Sequence, residues 1–180
     1  MRKKVLFPIA DGVEDIETVA TIDVLRRAGA EVLVAAIDKL QITAARGIKI
    51  IADKLLSEIT AEIFDLIVVP GGMPGAEYLR DCDLLTNMLK EQQKAKRLYA
   101  AICAAPVIIL QHHNLLSGKR ATCHPALYAQ LKNLEKKRVV VDENCITSQG
   151  PGTAIEFALQ LVELLFDHDK AKLVANSMVV

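Results

Sequence analysis

Residues 98–116 read LYAAICAAPVIILQHHNLL, which places a short apolar run, a cysteine and a second apolar run in direct succession. Leu98–Ile102 is almost wholly apolar, as expected of a strand that is covered on both faces of a sheet. Pro106 opens the second run, and a proline is tolerated in the first turn of a helix because its missing N–H costs little there. The stretch therefore predicts a buried strand and then a buried helix over Pro106–Leu116, the repeating unit of an α/β fold.

The same alternation of strand and helix signals continues along the rest of the chain. Other buried strands are predicted at Val5–Ile9, Glu31–Ile37 and Leu66–Val69, and helices at Ile16–Ala28, Asp83–Lys96 and Thr153–Phe166. A small hairpin is predicted at residues 41–52, turning at Gly47, with two late strands at Arg138–Val141 and Cys145–Ser148. Because no linker or repeat interrupts the pattern, we predict a single domain over residues 1–180. Its fold class is a doubly wound parallel sheet sandwiched between helices.

The composition argues against several classes of partner. Lys+Arg and Asp+Glu both number 22, so no net charge attracts a nucleic acid or an anionic membrane. No apolar stretch reaches the roughly 18 residues of a membrane span, and acids follow the first apolar run too soon for a signal peptide. The cysteines lack zinc-site spacing, which favours free thiols in a reducing cytoplasm and no metal. They are Cys82, Cys103, Cys123 and Cys145.

Polar or conformationally special residues follow four of the predicted strands. In open parallel sheets, ligands bind beyond the carboxyl ends of the strands. The segments in question are Asp11–Glu17, Pro70–Gly72, Cys103–Pro106 and His124–Pro125, the last after a predicted strand at Arg120–Cys123. We therefore expect these four segments to meet at one edge of the sheet.

Cys103 is the sharpest feature among them. Small residues surround it, as a crowded nucleophile elbow between a strand and a helix requires. A thiol at a helix N-terminus lies near the positive end of the helix dipole, which predicts a lowered pKa and a nucleophilic thiolate. The alternative is an inert core cysteine, since free cysteines are among the most buried residues.

The other candidates stay open on sequence alone. Gly71 and Gly72 could direct backbone N–H groups at an oxyanion or simply form a turn. One of three acids at the start of the first helix could exchange a proton with the thiol, whereas the others would serve as dipole partners. These acids are Glu14, Asp15 and Glu17. His124 is either a base for the cysteine or a hydrogen-bonded structural histidine.

Four stretches of the chain resemble the ThiJ/PfpI superfamily. They are DGVEDIETV (residues 11–19), LIVVPGGMPGA (66–76), AAICAAP (100–106) and TSQGPGTAIEF (147–157). They look most like its Parkinson-disease-protein branch, whose bacterial members have been called protein or nucleotide deglycases and glyoxalases. The resemblance keeps the same order over about residues 3–175. It implies a flavodoxin-like α/β sandwich and a homodimer.

The resemblance also implies roles for individual residues. Cys103 matches the family's nucleophile, Glu17 the acid that hydrogen-bonds it, and His124 the nearby histidine. Gly72 matches the oxyanion-hole glycine, with the amide of Ala104 beside it. Supporting roles fall to Gly71, Arg46 and Glu14. Peptidase-like relatives have a histidine where this chain has Ala104, which argues against a protease. The hairpin also lacks the Cys-Ser that often precedes the arginine in related sequences, since Ala44 and Ala45 stand there.

Two functions of different classes follow from these residues. The first is a cysteine-dependent deglycase or glutathione-independent glyoxalase that protects against carbonyl and oxidative stress. Its substrates would be methylglyoxal, glyoxal or their early adducts on proteins and nucleotides, and no metal or other cofactor would be needed. The alternative is a redox-sensing or chaperone-like stress protein that works through oxidation of Cys103.

Overall fold

A seven-stranded sheet forms the centre of the computed structural model, which describes residues 2–180. The strands are β1 (Lys4–Ile9), β2 (Glu31–Ala36), β3 (Gln41–Thr43), β4 (Lys49–Ile51), β5 (Lys54–Leu55), β6 (Leu66–Val69), β7 (Leu98–Ile102), β8 (Val139–Asp142) and β9 (Cys145–Ser148). The helices are α1 (Asp15–Arg27), α2 (Gly75–Arg80), α3 (Asp83–Lys94), α4 (Ala154–Leu165) and α5 (His168–Ser177). Short 3₁₀ turns lie between them.

The strand order in the sheet is β5-β2-β1-β6-β7-β9-β8, and β3 pairs with β4 as a separate antiparallel hairpin. All neighbours in the large sheet are parallel except β8 and β9, which are antiparallel. The predicted doubly wound sheet between helices is thus confirmed, with one antiparallel edge strand. The strand order reverses between β1 and β6. Ligands of such sheets bind in the crevice beyond the carboxyl ends of the two strands at this point.

The apolar strands are buried because helices pack on the sheet. All four residues of β6 are buried, and β7 has four buried residues and one half-buried. Helix α1 packs on α4 and α4 on α5, whereas α2 contacts α3 and the helical segment that follows Cys103. Tyr99 of β7 is fully buried and donates its hydroxyl to the Leu115 carbonyl at 2.8 Å. That bond satisfies its polar end and ties β7 to the chain beyond Cys103.

The helix after Cys103 is shorter than predicted. It runs as a π-helix over Pro106–Gln111 rather than to Leu116. The N–H of Leu115 bonds the Leu110 carbonyl at 2.8 Å, and Asn114 adopts a left-handed φ of 60°. A left-handed residue cannot continue a right-handed helix, so the helix ends before it.

The predicted strand at Arg120–Cys123 is wrong. Only Ala121 pairs there, in an isolated bridge to Leu134. The N–H of Arg120 bonds Asp142 Oδ2 at 2.7 Å, and the N–H of Thr122 bonds Thr147 Oγ1 at 2.9 Å. Because side chains take these backbone donors, the segment does not add to the ladder.

The predicted hairpin is confirmed, with Gly47 at a φ of 96° in its turn. A left-handed backbone of this kind favours glycine because it has no β-carbon. None of the helices within residues 2–180 combines the length and apolarity that a bilayer crossing requires.

Candidate active site

Cys103 lies at a strained turn between β7 and the following helix. Its φ is 65°, a left-handed value that costs a non-glycine residue on the order of 1–2 kcal/mol. Two backbone hydrogen bonds hold the turn: its N–H donates to the Ser148 carbonyl at 2.9 Å, and its carbonyl accepts from the His124 N–H at 2.8 Å. The side chain is half-buried, so the predicted elbow presents a thiol that solutes can reach.

Glu17 of α1 is the acid that faces this thiol. Its side chain is fully buried, and Oε2 accepts a hydrogen bond from the Gly71 N–H at 2.8 Å. A β-carbon at Gly71 would lie 2.7 Å from Cβ of Cys103 and 2.9 Å from Glu17 Oε2, so only glycine fits between them. Among the described residues, no donor reaches the second carboxyl oxygen, Oε1. That buried oxygen is available to a proton.

The surroundings of Glu17 favour its protonated form. Burial raises its pKa to about 7, and the charge of Glu14 adds to the rise. The Gly71 N–H and the neighbouring Cys103 thiol act the other way, because both favour the carboxylate. Near neutral pH the carboxyl group is therefore poised to give or take a proton.

The lowered pKa predicted for the Cys103 thiol is wrong. Burial raises the pKa of Cys103, and the adjacent Glu17 carboxylate raises it further. The backbone amides of Ala104 and Gly72 favour the thiolate, but their effect is smaller. The six-residue helix beyond the turn is too short to outweigh a buried carboxylate.

Cys103 and Glu17 therefore titrate as a pair. Two negative charges on adjacent buried groups are unfavourable, so the pair keeps one proton over a wide pH range. When that proton is on Glu17, the repulsion that raises the pKa of the thiol is absent. The thiol therefore ionises by passing its proton to Glu17, and the helix dipole is not what drives the ionisation.

Gly72 and Ala104 bring two backbone N–H groups to the sulfur. Gly72 has a φ of 88°, and a β-carbon there would lie 2.3 Å from the Glu14 nitrogen. No other residue fits this approach of the Gly72 loop to the start of α1. The two amides can stabilise negative charge on the sulfur or on an oxygen bonded next to it.

The His124 ring and the Cys103 sulfur both lie next to Gly150. Its Nδ1 accepts from the Ala126 N–H at 3.2 Å, so the neutral ring carries its proton on Nε2. A β-carbon at Gly150 would lie 3.4 Å from Cδ2 of His124 and 3.9 Å from Cys103 Sγ. In this tautomer the ring has no free lone pair with which to deprotonate the thiol, and it can donate to a substrate oxygen.

The other acids at the start of α1 have structural contacts. Glu14 Oε2 accepts from the Glu17 N–H at 2.8 Å and caps the helix. Asp15 accepts from the backbone N–H groups of Arg46 at 2.7 Å and Ile48 at 3.2 Å, which anchors the hairpin on α1. The Arg46 residue is exposed, and it is its backbone that makes this contact. Of the three acids left open by the sequence, Glu17 is the one that lies next to Cys103.

Two contributions to the site come from residues that the sequence did not single out. The Ser148 carbonyl fixes the Cys103 turn, and Gly150 leaves space beside the sulfur because it lacks a side chain. Both lie in the run TSQGPG at residues 147–152. The two glycines of this run are the sequence signal that could have pointed to its place in the site. Within residues 2–180, no three His, Cys, Asp or Glu side chains are grouped so as to hold a metal ion.

Comparison with known proteins shows the family to which the sequence and the fold are similar. Residues 3–164 match the DJ-1/PfpI family. Protein DJ-1 homolog A of Arabidopsis thaliana is 48% identical and covers 99% of this chain, which spans about half (47%) of that protein's length. The Caenorhabditis elegans glutathione-independent glyoxalase DJR-1.2 is 38% identical over 92% of this chain and 89% of its own. The structure of oxidized Toxoplasma gondii DJ-1 is 46% identical over 98% of both chains, with a TM-score of 0.97.

Proposed function

The chain belongs to the DJ-1/PfpI family, and we propose that it is a glutathione-independent glyoxalase that converts methylglyoxal and glyoxal into hydroxy acids. The observation that carries the proposal is the contact of the Cys103 thiol with a fully buried Glu17 that has one unpartnered oxygen. A nucleophile and a proton carrier at one carbon are what an aldehyde–ketone rearrangement requires. The C. elegans relative named as a glyoxalase supports the same assignment.

The first step would be addition of sulfur to the aldehyde. Glu17 takes the thiol proton, and the Cys103 thiolate attacks the aldehyde carbon of methylglyoxal to form a C–S bond. The carbonyl electron pair moves to oxygen, where the amides of Gly72 and Ala104 stabilise the charge until a proton returns from Glu17. The product is a hemithioacetal, and Glu17 is again a carboxylate.

The second step would move hydrogen between adjacent carbons. Glu17 removes the proton from the former aldehyde carbon, which leaves an enediolate. The hydroxyl proton of that carbon passes to the neighbouring oxygen, and Glu17 returns its own proton to the neighbouring carbon. The first carbon is oxidised to a thioester and the second is reduced to an alcohol, so no external redox partner is needed. A base with a pKa of about 7 suits both directions of transfer.

The last step would be hydrolysis. Water adds to the thioester carbonyl and Cys103 leaves as the thiol, which releases lactate from methylglyoxal. His124 can donate its Nε2 hydrogen to the carbonyl oxygen during this addition. An early adduct on a protein or nucleotide that reverts to free dicarbonyl and amine would enter the same sequence, and so would be deglycated.

Purified protein is expected to form lactate from methylglyoxal in buffer without glutathione or added metal. The measurement is the appearance of the lactate methyl signal by proton NMR. In D₂O the signal would report incorporation of solvent deuterium at the adjacent carbon to the extent that Glu17 exchanges its proton. A rate no higher than that of buffer alone would reject the proposal.

A second candidate function is redox sensing through Cys103. Gly150 leaves space beside the sulfur, and the Gly72 and Ala104 amides could hold oxygens added to it. We expect mild peroxide to add two oxygens selectively at Cys103, giving a sulfinate, with peroxide as the oxidant and water as its product. Peptide-resolved mass spectrometry measures this. Equal oxidation of Cys103 and the half-buried Cys82 would count against it.

The homodimer implied by the resemblance stays a prediction. Apolar side chains of α1 and the hairpin offer a face for a second copy, since Ile16 is 56% exposed, Val19 50% and Ile48 51%.

A further inference from the structure

Two chain segments border the Cys103 sulfur. One is the 3₁₀ segment Pro125–Gln130, which directly follows His124. The other is the turn at Gly150, where a β-carbon would lie 3.9 Å from the sulfur and 3.4 Å from the His124 ring. Movement of either segment would change the space beside the half-buried thiol.

A single side-chain hydrogen bond joins the two segments. Gln149 Nε2 donates to the Tyr128 hydroxyl at 2.6 Å. Both residues are half-buried, and the Lys136 ammonium lies 5.8 Å from the centre of the Tyr128 ring, close enough to favour its position. We call the Tyr128–Gln149 pair the clasp.

Little else holds the Pro125–Gln130 segment in place. None of its residues is fully buried, and only Leu127 and Tyr128 pack in part against the core. Its two ends are tied by backbone contacts: the His124 N–H bonds the Cys103 carbonyl at 2.8 Å, and Gln111 Nε2 bonds the Gln130 carbonyl at 2.7 Å. The clasp holds the middle. A segment with few packing contacts opens locally at low cost, and its polar bonds set how often it does so.

We infer that the clasp sets the size of the carbonyl compound that reaches Cys103. With the clasp closed, a free dicarbonyl of a few atoms can pass, whereas an adduct carried on a peptide or nucleotide must wait for the Pro125–Gln130 segment to move. Tyr128 and Gln149 are therefore specificity-determining residues. The inference rests on the proposed function for its substrates, but the access of reagents to the thiol can be measured without any turnover.

The test compares two alkylating reagents that share one reactive group, iodoacetamide and a fluorescein-linked iodoacetamide. Rates at Cys103 are measured by peptide-resolved mass spectrometry for wild type, Tyr128→Phe and Gln149→Leu. Loss of the hydrogen bond is expected to speed the bulky reagent about fivefold, with a change of less than about twofold for the small one. Taking the ratio of the two rates cancels any change in the thiolate fraction.

Two further variants make the result specific. Gln149→Glu can still bond Tyr128, with the hydroxyl donating to the carboxylate instead of accepting from the amide, and should retain the wild-type ratio. Tyr78→Phe removes a hydroxyl from an exposed tyrosine on α2 and should also leave it unchanged. If Gln149→Leu fails to fold, as judged by thermal unfolding, Tyr128→Phe decides alone.

An unchanged ratio in a folded Tyr128→Phe variant would overturn the inference, and so would equal acceleration of both reagents. Failure of the glyoxalase proposal would show instead as absent lactate in wild type, whatever the alkylation ratio.

Discussion

The Cys103→Ser variant is expected to form lactate from methylglyoxal at least about 10³-fold more slowly than wild type. Serine is nearly the same size, so the Ser148 and His124 backbone bonds that hold the turn should persist. A serine hydroxyl is far less acidic than a thiol, and Glu17 with a pKa of about 7 is too weak a base to ionise it. The carbon–sulfur bond of the first intermediate then cannot form.

Cys82→Ser is the matched control for this experiment. Cys82 is also a half-buried free thiol, but it precedes α3, and its neighbouring acids Asp81 and Asp83 are exposed, whereas Glu17 is buried. Its replacement should leave lactate formation within about twofold of wild type, because surface substitutions away from a site have small effects. Equal rates for wild type and a folded Cys103→Ser variant would mean that another group performs the chemistry.

Much of the fold was predictable because buried parallel strands have a plain signature. The apolar runs of β1, β2, β6 and β7 were found from hydrophobicity alone, since both faces of such strands are covered. Strand β5, with two residues, and α2, with six, are too short to show a period. Helix α5 is weakly amphipathic, and its exposed Leu173 blurs the apolar stripe. The antiparallel direction of β8 depends on the tight turn before β9, which hydrophobicity does not report.

The site was predictable where one local pattern decides it and not where distant segments meet. The elbow at Cys103 follows from small residues between a strand and a proline. The meeting of Cys103 with Glu17 depends on Gly71, because the absence of a β-carbon there lets α1 and β7 approach. The direction of the Cys103 pKa shift also follows from this contact, so helix position alone predicted it wrongly.

His124 shows how a correct position can be predicted for a wrong reason. The expected strand before it does not form, yet its backbone N–H bonds the Cys103 carbonyl and brings the ring to the thiol. Its hydrogen bond from Ala126 decides which ring nitrogen carries the proton, and no sequence pattern reports that bond.

Glu17→Gln is expected to lower kcat for methylglyoxal by about 10²- to 10⁴-fold, the range for loss of a general acid–base. The glutamine amide oxygen can still accept from the Gly71 N–H, so the fold of the site should persist. The amide cannot carry a proton from one carbon to the next. Glu14→Gln is the matched control, because its side-chain oxygen can still cap α1, and it should change kcat by less than about threefold.

The pH dependence gives a second signature of the same residue. Below pH 7 the wild-type pair holds two protons, as SH and COOH, and no thiolate can form by transfer to Glu17. As the pH rises through the Glu17 pKa of about 7, the singly protonated pair forms and kcat/KM should rise with it. This rise of kcat/KM with pH should be absent in the Glu17→Gln variant.

The reactivity of the thiol separates the proposed role of Glu17 from a simpler one. An ionised Glu17 raises the pKa of Cys103, so its removal should lower that pKa and speed alkylation by iodoacetamide at pH 8. Turnover and alkylation would then change in opposite directions in Glu17→Gln. If both fell by the same factor, Glu17 would serve only to activate the sulfur, and the hydrogen transfer between carbons would need another carrier. Opposite changes require that the carboxyl group act after the carbon–sulfur bond has formed.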